Sequence, residues 1–319
     1  MKVTIAVRTC NRPELFKEAL ASIHLQTHTD WEVIVFDDGA SDLNFNIYKK
    51  FKDTHKDKRV LYVTLNEAWG LYKSSWIMAV DLAMGDIIVR LDDDDLLAED
   101  ALQFLSNTYE KNPELDFSYG SSLTFSDNGI GDVIQTNTCF DHPKTHHAWA
   151  PYTVPNNNPW YHPWAFYRDY YEEPRHFTSI IHCAKDNAFC VFHTYVMRTS
   201  SVKRVKDKIT ITSNFVDDLE FMGSLDYLGL GQASIKKVLS YIRVHNEGRI
   251  SDAGKQIDGT TIFNENFRIR DKVDELRTSG FFSKVIPVAS PDNKNEGVTN
   301  VLRDNFKAYM TTILSISNS

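Results

Sequence analysis

"DIIVRLDDDDLLAED", residues 86–100, is the stretch on which the reading of this chain turns. Ile87, Ile88, Val89 and Leu91 form a short apolar run of the kind that makes a buried strand. The run passes directly into Asp92, Asp93, Asp94 and Asp95. Adjacent carboxylates repel one another, and each is costly to bring near an apolar core. Two readings fit. One is a solvated acidic turn or helix start, where acids suit the helix dipole. The other is a divalent-cation site, because hard cations take oxygen ligands and cancel the repulsion. The D-x-D-x-D-G spacing and later Glu of an EF-hand are missing, so a phosphate-bound Mg²⁺ or Mn²⁺ suits the run better.

The flanking sequence alternates strand and helix signals through the first 125 residues. VTIAV (3–7), EVIVFDDG (32–39), RVLYVTL (59–65) and IIVRL (87–91) read as strands. PELFKEALASIHLQ (13–26), NIYKKFKD (46–53), LYKSSWIMAVDLAMG (71–85, stopped by Gly85) and AEDALQFLSNTYEKNP (98–113) read as helices. Strands separated by helices predict an α/β fold, with a mostly parallel sheet and helices on both faces. In such sheets ligands bind beyond the carboxyl ends of the strands. Asp37, Asp38 and Asp92–Asp95 all fall at expected strand ends, so they are expected to face one crevice.

Between 142 and 177 the character changes to long loops crowded with Pro, His, Trp and Tyr, and aromatic loops of this length are usually functional. Regular signals return at 189–205, 215–230 and 236–245. The histidines between 142 and 182, with Cys183, match no common structural zinc spacing. They are better read with their aromatic neighbours as a surface that stacks on a sugar or another flat acceptor.

Composition bounds the function. Hydrophobic residues make up 42% and charged residues 24% of the 319, ordinary for a globular protein. No run approaches the roughly 18 apolar residues that span a bilayer, and the N-terminal apolar run is too short for a signal peptide. A soluble, cytoplasmic protein is expected. The four cysteines form no CxxC pair, which points to reduced thiols rather than disulfides. A formal net charge of −8 disfavours broad nucleic-acid binding. The basic stretch 49–59 reads as a solvated surface.

Five stretches in this order resemble the family-2 glycosyltransferases of the GT-A fold: "TCNRPELFKEALASIHLQT" (9–27), "WEVIVFDDGASD" (31–42), "GDIIVRLDDDDLLAEDAL" (85–102), "FVDDLEFMGSL" (215–225) and "YIRVH" (241–245). The resemblance covers residues 1 to about 250. It implies a GT-A domain over 1–250, with a nucleotide-sugar half (1–125) and an acceptor half (126–250), followed by a mainly helical extension (251–319). It further implies that Asp37 and Asp38 contact the uracil or ribose of a UDP-sugar, with Thr9, Asn11 and Arg12 lining the base pocket. Asp92 and Asp94, with Asp93 between them, would take the D-x-D place. One or two of them would hold Mn²⁺ or Mg²⁺, and the first could instead touch the ribose. Asp218 matches the family's catalytic base, and His245 a further metal ligand in some relatives. Where many relatives carry an Ala-Arg-Asn element this chain has Lys73, Ser74, Ser75 and Trp76, so Lys73 becomes the candidate cation for the donor phosphates.

The implied activity is transfer of a sugar to a hydroxyl acceptor with inversion. The acceptor is a saccharide by default; a protein side chain or a modified DNA base is the alternative, with Trp160 and Trp164 as candidate acceptor contacts. Two rival readings remain. A nucleotidyltransferase would want a Gly-rich loop that "VRTCNRPEL" lacks. A non-catalytic sugar- or nucleotide-binding module would not need Asp94 and Asp218.

Overall fold

The structure, a computed structural model, describes residues 1–65, 72–126, 133–137, 182–183, 188–189, 195–212, 221, 224–225, 228, 230–244, 256–257, 260–261 and 300–318. The first 111 residues carry β1 (Val3–Thr9), α1 (Pro13–His24), β2 (Trp31–Asp37), α2 (Asp42–Thr54), β3 (Val60–Thr64), α3 (Tyr72–Leu82), β4 (Ile87–Asp92), β5 (Leu96–Leu97) and α4 (Ala101–Lys111). Further elements are β6 (Phe117–Ser126), β7 (Val133–Asn137), the short pair β8 (His182–Cys183) and β9 (Ala188–Phe189), β10 (Tyr195–Arg198), α5 (Thr199–Val205) and β11 (Gln232–Val244). A second short pair, β12 (Gln256–Ile257) and β13 (Thr260–Thr261), precedes the C-terminal α6 (Asn300–Ser317). The alternation expected from the sequence is present, and the terminal residues of the expected elements shift by a few positions.

One nine-stranded sheet, in the order β3-β2-β1-β4-β10-β6-β11-β5 with β7 on β6, organises the chain. The strands β3, β2, β1 and β4 run parallel to one another, as do β6 and β11. The inserted β10 is antiparallel to both β4 and β6. Residues of β1, β2 and β4 are buried almost without interruption, because helices cover both faces. Val3, Ile5, Val7, Val33, Val35, Ile87 and Val89 pack against Phe16 and Leu20 of α1 and Leu102 and Leu105 of α4. The alternate residues Ala6, Ile34, Phe36 and Ile88 pack against Trp76 and Val80 of α3 and Val202 of α5. The period of two in a strand sends successive side chains to opposite layers.

The chain winds outward from β1 through β2 and β3, then returns to the other side of β1 to lay down β4. That reversal of strand order opens a crevice beyond the carboxyl ends of β1 and β4.

Two expectations need correction. The helix expected to run to Gly85 ends at Leu82. Its continuation loses the competition for backbone donors: the Met84 N–H goes to Glu32 Oε1 at 2.7 Å and the Gly85 N–H to Thr4 Oγ1 at 3.0 Å. Glu32 is fully buried. Burial pushes its carboxyl up, but hydrogen bonds from Thr4, Arg59 and Met84 outweigh it and hold the group below its ordinary value. The second correction is β6, where no strand was expected. "FSYGSSLTFS" is rich in serine and shows no apolar run, yet it pairs with β10, β11 and β7.

The C-terminal helix α6 lies on α1, placing Phe306, Met310 and Ile313 against Ala21, Leu96 and Phe125. The Tyr309 hydroxyl donates to the Leu97 carbonyl at 2.6 Å. Among the described residues no helix is long and apolar enough to cross a membrane. Cys10 is free and buried, and the lysines of 49–59 are mostly exposed, as expected.

A Cβ at Gly85 would come within 2.6 Å of the Thr4 nitrogen and 2.9 Å of the Val3 carbonyl carbon. Both are backbone of a central strand and have nowhere to move. Gly85→Ala should therefore destabilise the fold by about 1–3 kcal/mol, read from the urea midpoint at constant m-value. An unchanged midpoint would show that the contact relaxes without cost.

Candidate active site

The ends of three strands meet at the crevice. Register places Thr9 of β1 opposite Asp37 of β2, and Arg8 of β1 opposite Asp92 of β4. The loops leaving these strands stay hydrogen-bonded to β1: the Asp38 N–H donates to the Thr9 carbonyl at 2.9 Å and the Asp93 N–H to the Arg8 carbonyl at 3.1 Å. The acids of 37–38 and 92–95 thus flank one strand end, as the sequence led us to expect.

The four aspartates of the turn alternate in environment. Asp93 and Asp95 are buried, whereas the side chains of Asp92 and Asp94 are 23% and 18% exposed. Each carboxylate is met by arginine or by a backbone donor. Arg90, one strand period before Asp92, grips it with Nε to Oδ1 at 3.1 Å and Nη2 to Oδ2 at 2.8 Å. Arg8 Nε lies 3.6 Å from Asp92 Oδ1. Arg12 forks across the turn, pairing Nη2 with Asp93 Oδ1 and, at 2.5 Å, Nη1 with Asp94 Oδ2. From the far side, the Arg243 backbone N–H donates to Asp95 Oδ1 at 3.1 Å and its Nε to the Asp94 carbonyl at 3.2 Å. The Arg243 guanidinium also pairs with Glu18 of α1.

Burial sets the chemistry of the two inner acids. It pushes Asp93 up to about 7, aided by Asp94 and Asp92 and opposed by Arg12 and the Thr9 hydroxyl. Burial, with Asp94 and Asp92, pushes Asp95 well up too, against the Arg243 N–H and Arg90. The same crowding of charge reaches Cys10: burial first, then Asp38 and Asp93, raise its thiol to about 11, so it is a poor nucleophile at neutral pH.

On the β2 side Asp37 is fully engaged in shaping its loop. Its Oδ1 accepts the Gly39 N–H at 2.9 Å and its Oδ2 the Ser41 N–H at 3.1 Å. The Tyr62 hydroxyl of β3 donates to the same Oδ2. The loops after β1 and β2 press on each other: a Cβ at Gly39 would sit 2.4 Å from Asn11 Oδ1. Asn11 (φ 53°) and Ala40 (φ 48°) occupy the left-handed region. Asn tolerates it; Ala does so at a cost of about 1–2 kcal/mol. Strain of this kind gathers at ligand sites and persists when the surroundings enforce it.

The structure therefore brings together Thr9, Asn11, Arg12, Asp37, Asp38 and Asp92–Asp94, all expected at the site. Their exposure differs. Thr9 is buried, with its Oγ1 accepting from Asn44 Nδ2 at 3.2 Å, and Asp93 faces inward; Asn11, Arg12, Asp92 and Asp94 reach the rim. Lys73 lies on the first turn of α3 by its backbone. Asp218, His245, Trp160 and Trp164 lie outside the described residues. Sequence reading passed over Arg8, Arg90, Arg243, Asn44 and Tyr62. Only Arg90 carried a local signal: a lone charge inside an apolar run, two residues from an acid, shares that acid's face of the strand.

Such a sheet, mostly parallel with acids at the ends of its central strands, has the architecture of the GT-A fold. The profile of glycosyl transferase family 2 matches residues 4–205, more than half of the chain, and the chain belongs to that family. Among relatives, an uncharacterized glycosyltransferase of Rickettsia felis is 30% identical over 129 residues, 40% of this chain and 20% of that protein. The poly(ribitol-phosphate) beta-glucosyltransferase of Bacillus spizizenii is 27% identical over 133 residues, 41% of this chain and 20% of that one. The GalNAc(5)-diNAcBac-PP-undecaprenol beta-1,3-glucosyltransferase of Campylobacter jejuni is 33% identical over 105 residues, 33% of each. The shared stretch is thus a minor part of each relative's length. Among solved structures, S. aureus TarS 1-349 in complex with UDP-GlcNAc superposes with a TM-score of 0.57 at 16% identity. The overlap covers 99% of this chain and 73% of that one.

The Arg12 fork yields a pH prediction. Asp93 has a folded value above the ordinary carboxylate value of about 4, so its contribution to stability is present at low pH and lost as pH rises toward about 7. Arg12→Gln removes the charge that opposes the rise, so the loss should extend to higher pH. Between pH 6 and 8.5 the urea midpoint of Arg12→Gln should fall more steeply than that of the wild type, and adding Asp93→Asn should flatten it. Parallel curves would disprove the coupling.

Proposed function

We propose that the chain transfers a sugar from a nucleoside-diphosphate sugar, UDP-linked, to a hydroxyl acceptor, with inversion and with Mn²⁺ or Mg²⁺. The observation that carries this reading is the pair of outward-facing carboxylates, Asp92 and Asp94, held in place by arginines at the strand-order reversal. Membership of the family supports the glycosyl transfer itself. Two relatives named as beta-glucosyltransferases support an inverting outcome and a saccharide or glycan-precursor acceptor. A cytoplasmic location accords with such a donor.

The donor set suits a hard cation. Asp92 and Asp94 offer carboxylate oxygens on the accessible side of the turn. Among the described residues no group of three or more His, Cys, Asp or Glu could hold a metal by itself. Mg²⁺ and its analogues need no such cage, since they are held by one or two carboxylates together with substrate phosphates. His245, outside the described residues, is a candidate third ligand. When bound, the ion stabilises the negative charge that develops on the leaving diphosphate.

The chain's own residues do the rest. Asn11, Arg12 and Asp38 line the nucleotide side, with Asp37 and Thr9 fixing the loops behind them. Lys73 opposes the phosphates. Asp218 accepts the proton of the attacking hydroxyl, since a positioned carboxylate is the usual base for such a step. The aromatic segment 142–177, with Trp160 and Trp164, holds the acceptor. On this reading residues 1–125 serve the donor, 126–250 the acceptor, and 251–319 form an extension.

Asp94→Ala should abolish Mn²⁺-dependent UDP binding in calorimetry while thermal unfolding stays cooperative. Retained metal-dependent binding would remove Asp94 from the site. Asp218→Asn keeps shape but loses proton affinity, so it should lower kcat by about 10²-fold or more with UDP affinity within a few-fold. Asp217→Asn should do much less. If Asp217→Asn were the inactive variant, the base would be its neighbour; if both kept full turnover, no carboxylate here would be the base.

A further inference from the structure

Two histidines at the end of α1 remote from the crevice take no part in the roles proposed above. His24 is the last residue of α1, and His55 is the C-cap of α2. His24 Nδ1 and His55 Nε2 stand 3.1 Å apart at the surface. The His55 ring is seated by its neighbours: its centroid lies 5.0 Å from that of Trp31, edge to face, and 4.5 Å from that of Phe51. Trp31 is itself buried. The His55 backbone is held as well, its N–H donating to the Phe51 carbonyl at 3.1 Å and its carbonyl accepting the Lys58 N–H at 3.0 Å.

The separation of the two nitrogens is one that a metal ion uses. Zinc binds imidazole nitrogen at about 2.0–2.1 Å, so two nitrogens on one ion stand about 2.9 Å apart at a right angle and about 3.3 Å apart at the tetrahedral angle. The observed 3.1 Å falls between these values. Ligation requires neutral rings, and the surroundings of His55 favour neutrality. Burial first, then His24, hold it below its ordinary value; Asp57 opposes this and Lys58 adds to it. The Lys58 ammonium is turned to other partners, 2.9 Å from the Asp57 carboxylate and 5.6 Å from the Trp31 centroid. Without a metal, one neutral ring donates its N–H to the other. Metal entry then needs only a tautomer change. The shared proton passes through water to the other nitrogen of the ring that held it, and the pair gains and loses none.

We propose that His24 and His55 form a surface site for a late first-row divalent cation, Zn²⁺ or its neighbours Ni²⁺ and Cu²⁺, with water completing the coordination. Imidazole suits these ions, whereas Mg²⁺ and Mn²⁺ are suited by carboxylate oxygen. The site therefore differs in chemistry from the acidic turn. It also lies one helix length from the crevice, since the 12 residues of α1 span about 18 Å. Structural zinc sites are closed by four protein ligands; a site with two exchanges its ion with solution. The bound ion joins the carboxyl-terminal ends of α1 and α2, two helices whose amino-terminal ends follow the loops of the crevice.

The test is calorimetric titration of the full chain with Zn²⁺ in excess Mg²⁺, which competes for carboxylate oxygens. The variants are His24→Ala, His55→Phe, which keeps a ring against Trp31, and the two together. The wild type should take up one more Zn²⁺ per chain than either single variant. The double variant should lose no more than one ion, because both rings serve the same one. Zn²⁺ held by other histidines is common to all four proteins and cancels. Equal uptake by the wild type and His24→Ala would show adventitious binding only and overturn the proposal. A double variant that loses two ions would overturn it as well. His24 is exposed, so His24→Ala keeps the fold; should His55→Phe not fold, the comparison of the wild type with His24→Ala decides alone. Neither UDP nor sugar transfer enters the readout, so failure of the functional reading would leave this test intact.

Discussion

Ion pairs from Arg8, Arg12 and Arg90 to the acidic turn, with hydrogen bonds from Arg243, hold the crevice together. The need for them follows from electrostatics. Four adjacent carboxylates at the end of a buried strand repel one another, and two of them, Asp93 and Asp95, are shut away from water. Unpaired, each buried carboxylate would cost several kcal/mol. The compensating charges come from β1, the loop after it and β4, and β11 adds hydrogen bonds. The position of the turn is therefore fixed by the sheet as a whole and not by the loop's own conformation. Removing one arginine should leave a buried or half-buried charge behind, which is why these residues matter beyond the salt bridges they form.

A second set of constraints holds the β2 side. Asp37 spends its carboxylate on the Gly39 and Ser41 amides and the Tyr62 hydroxyl. That engagement turns the chain sharply, drives Ala40 into the left-handed region and brings Gly39 against Asn11. The loop cannot relax without breaking those hydrogen bonds. A nucleotide entering such a crevice would meet groups already held, and pre-organisation of this kind reduces the entropy lost on binding.

The consequence for function is a division between inner and outer acids. The inner pair, pushed toward neutrality by burial, supports the turn; the outer pair is partly exposed, each acid paired with an arginine.

The sequence by itself determined the alternation of strands and helices, the parallel sheet, and the gathering of acids at strand ends. Those features are written in local periodicity, and strands separated by helices have few ways to pack. It also determined the family, through motifs that keep their order along the chain. What only the tertiary structure decided was which acids face outward and what holds them. Arg8 meets Asp92 through the register of β1 on β4, and Arg243 reaches Asp95 from β11, 148 residues away in sequence. Strand β6 was missed for a different reason: Phe117, Tyr119, Leu123 and Phe125 do alternate with polar residues, but Ser121 interrupts the pattern. Its apolar residues form no continuous run, and neighbours on both sides supply its hydrogen-bond partners. Pairings between distant segments are set by the closure of the whole sheet, a non-local condition that no window of residues contains.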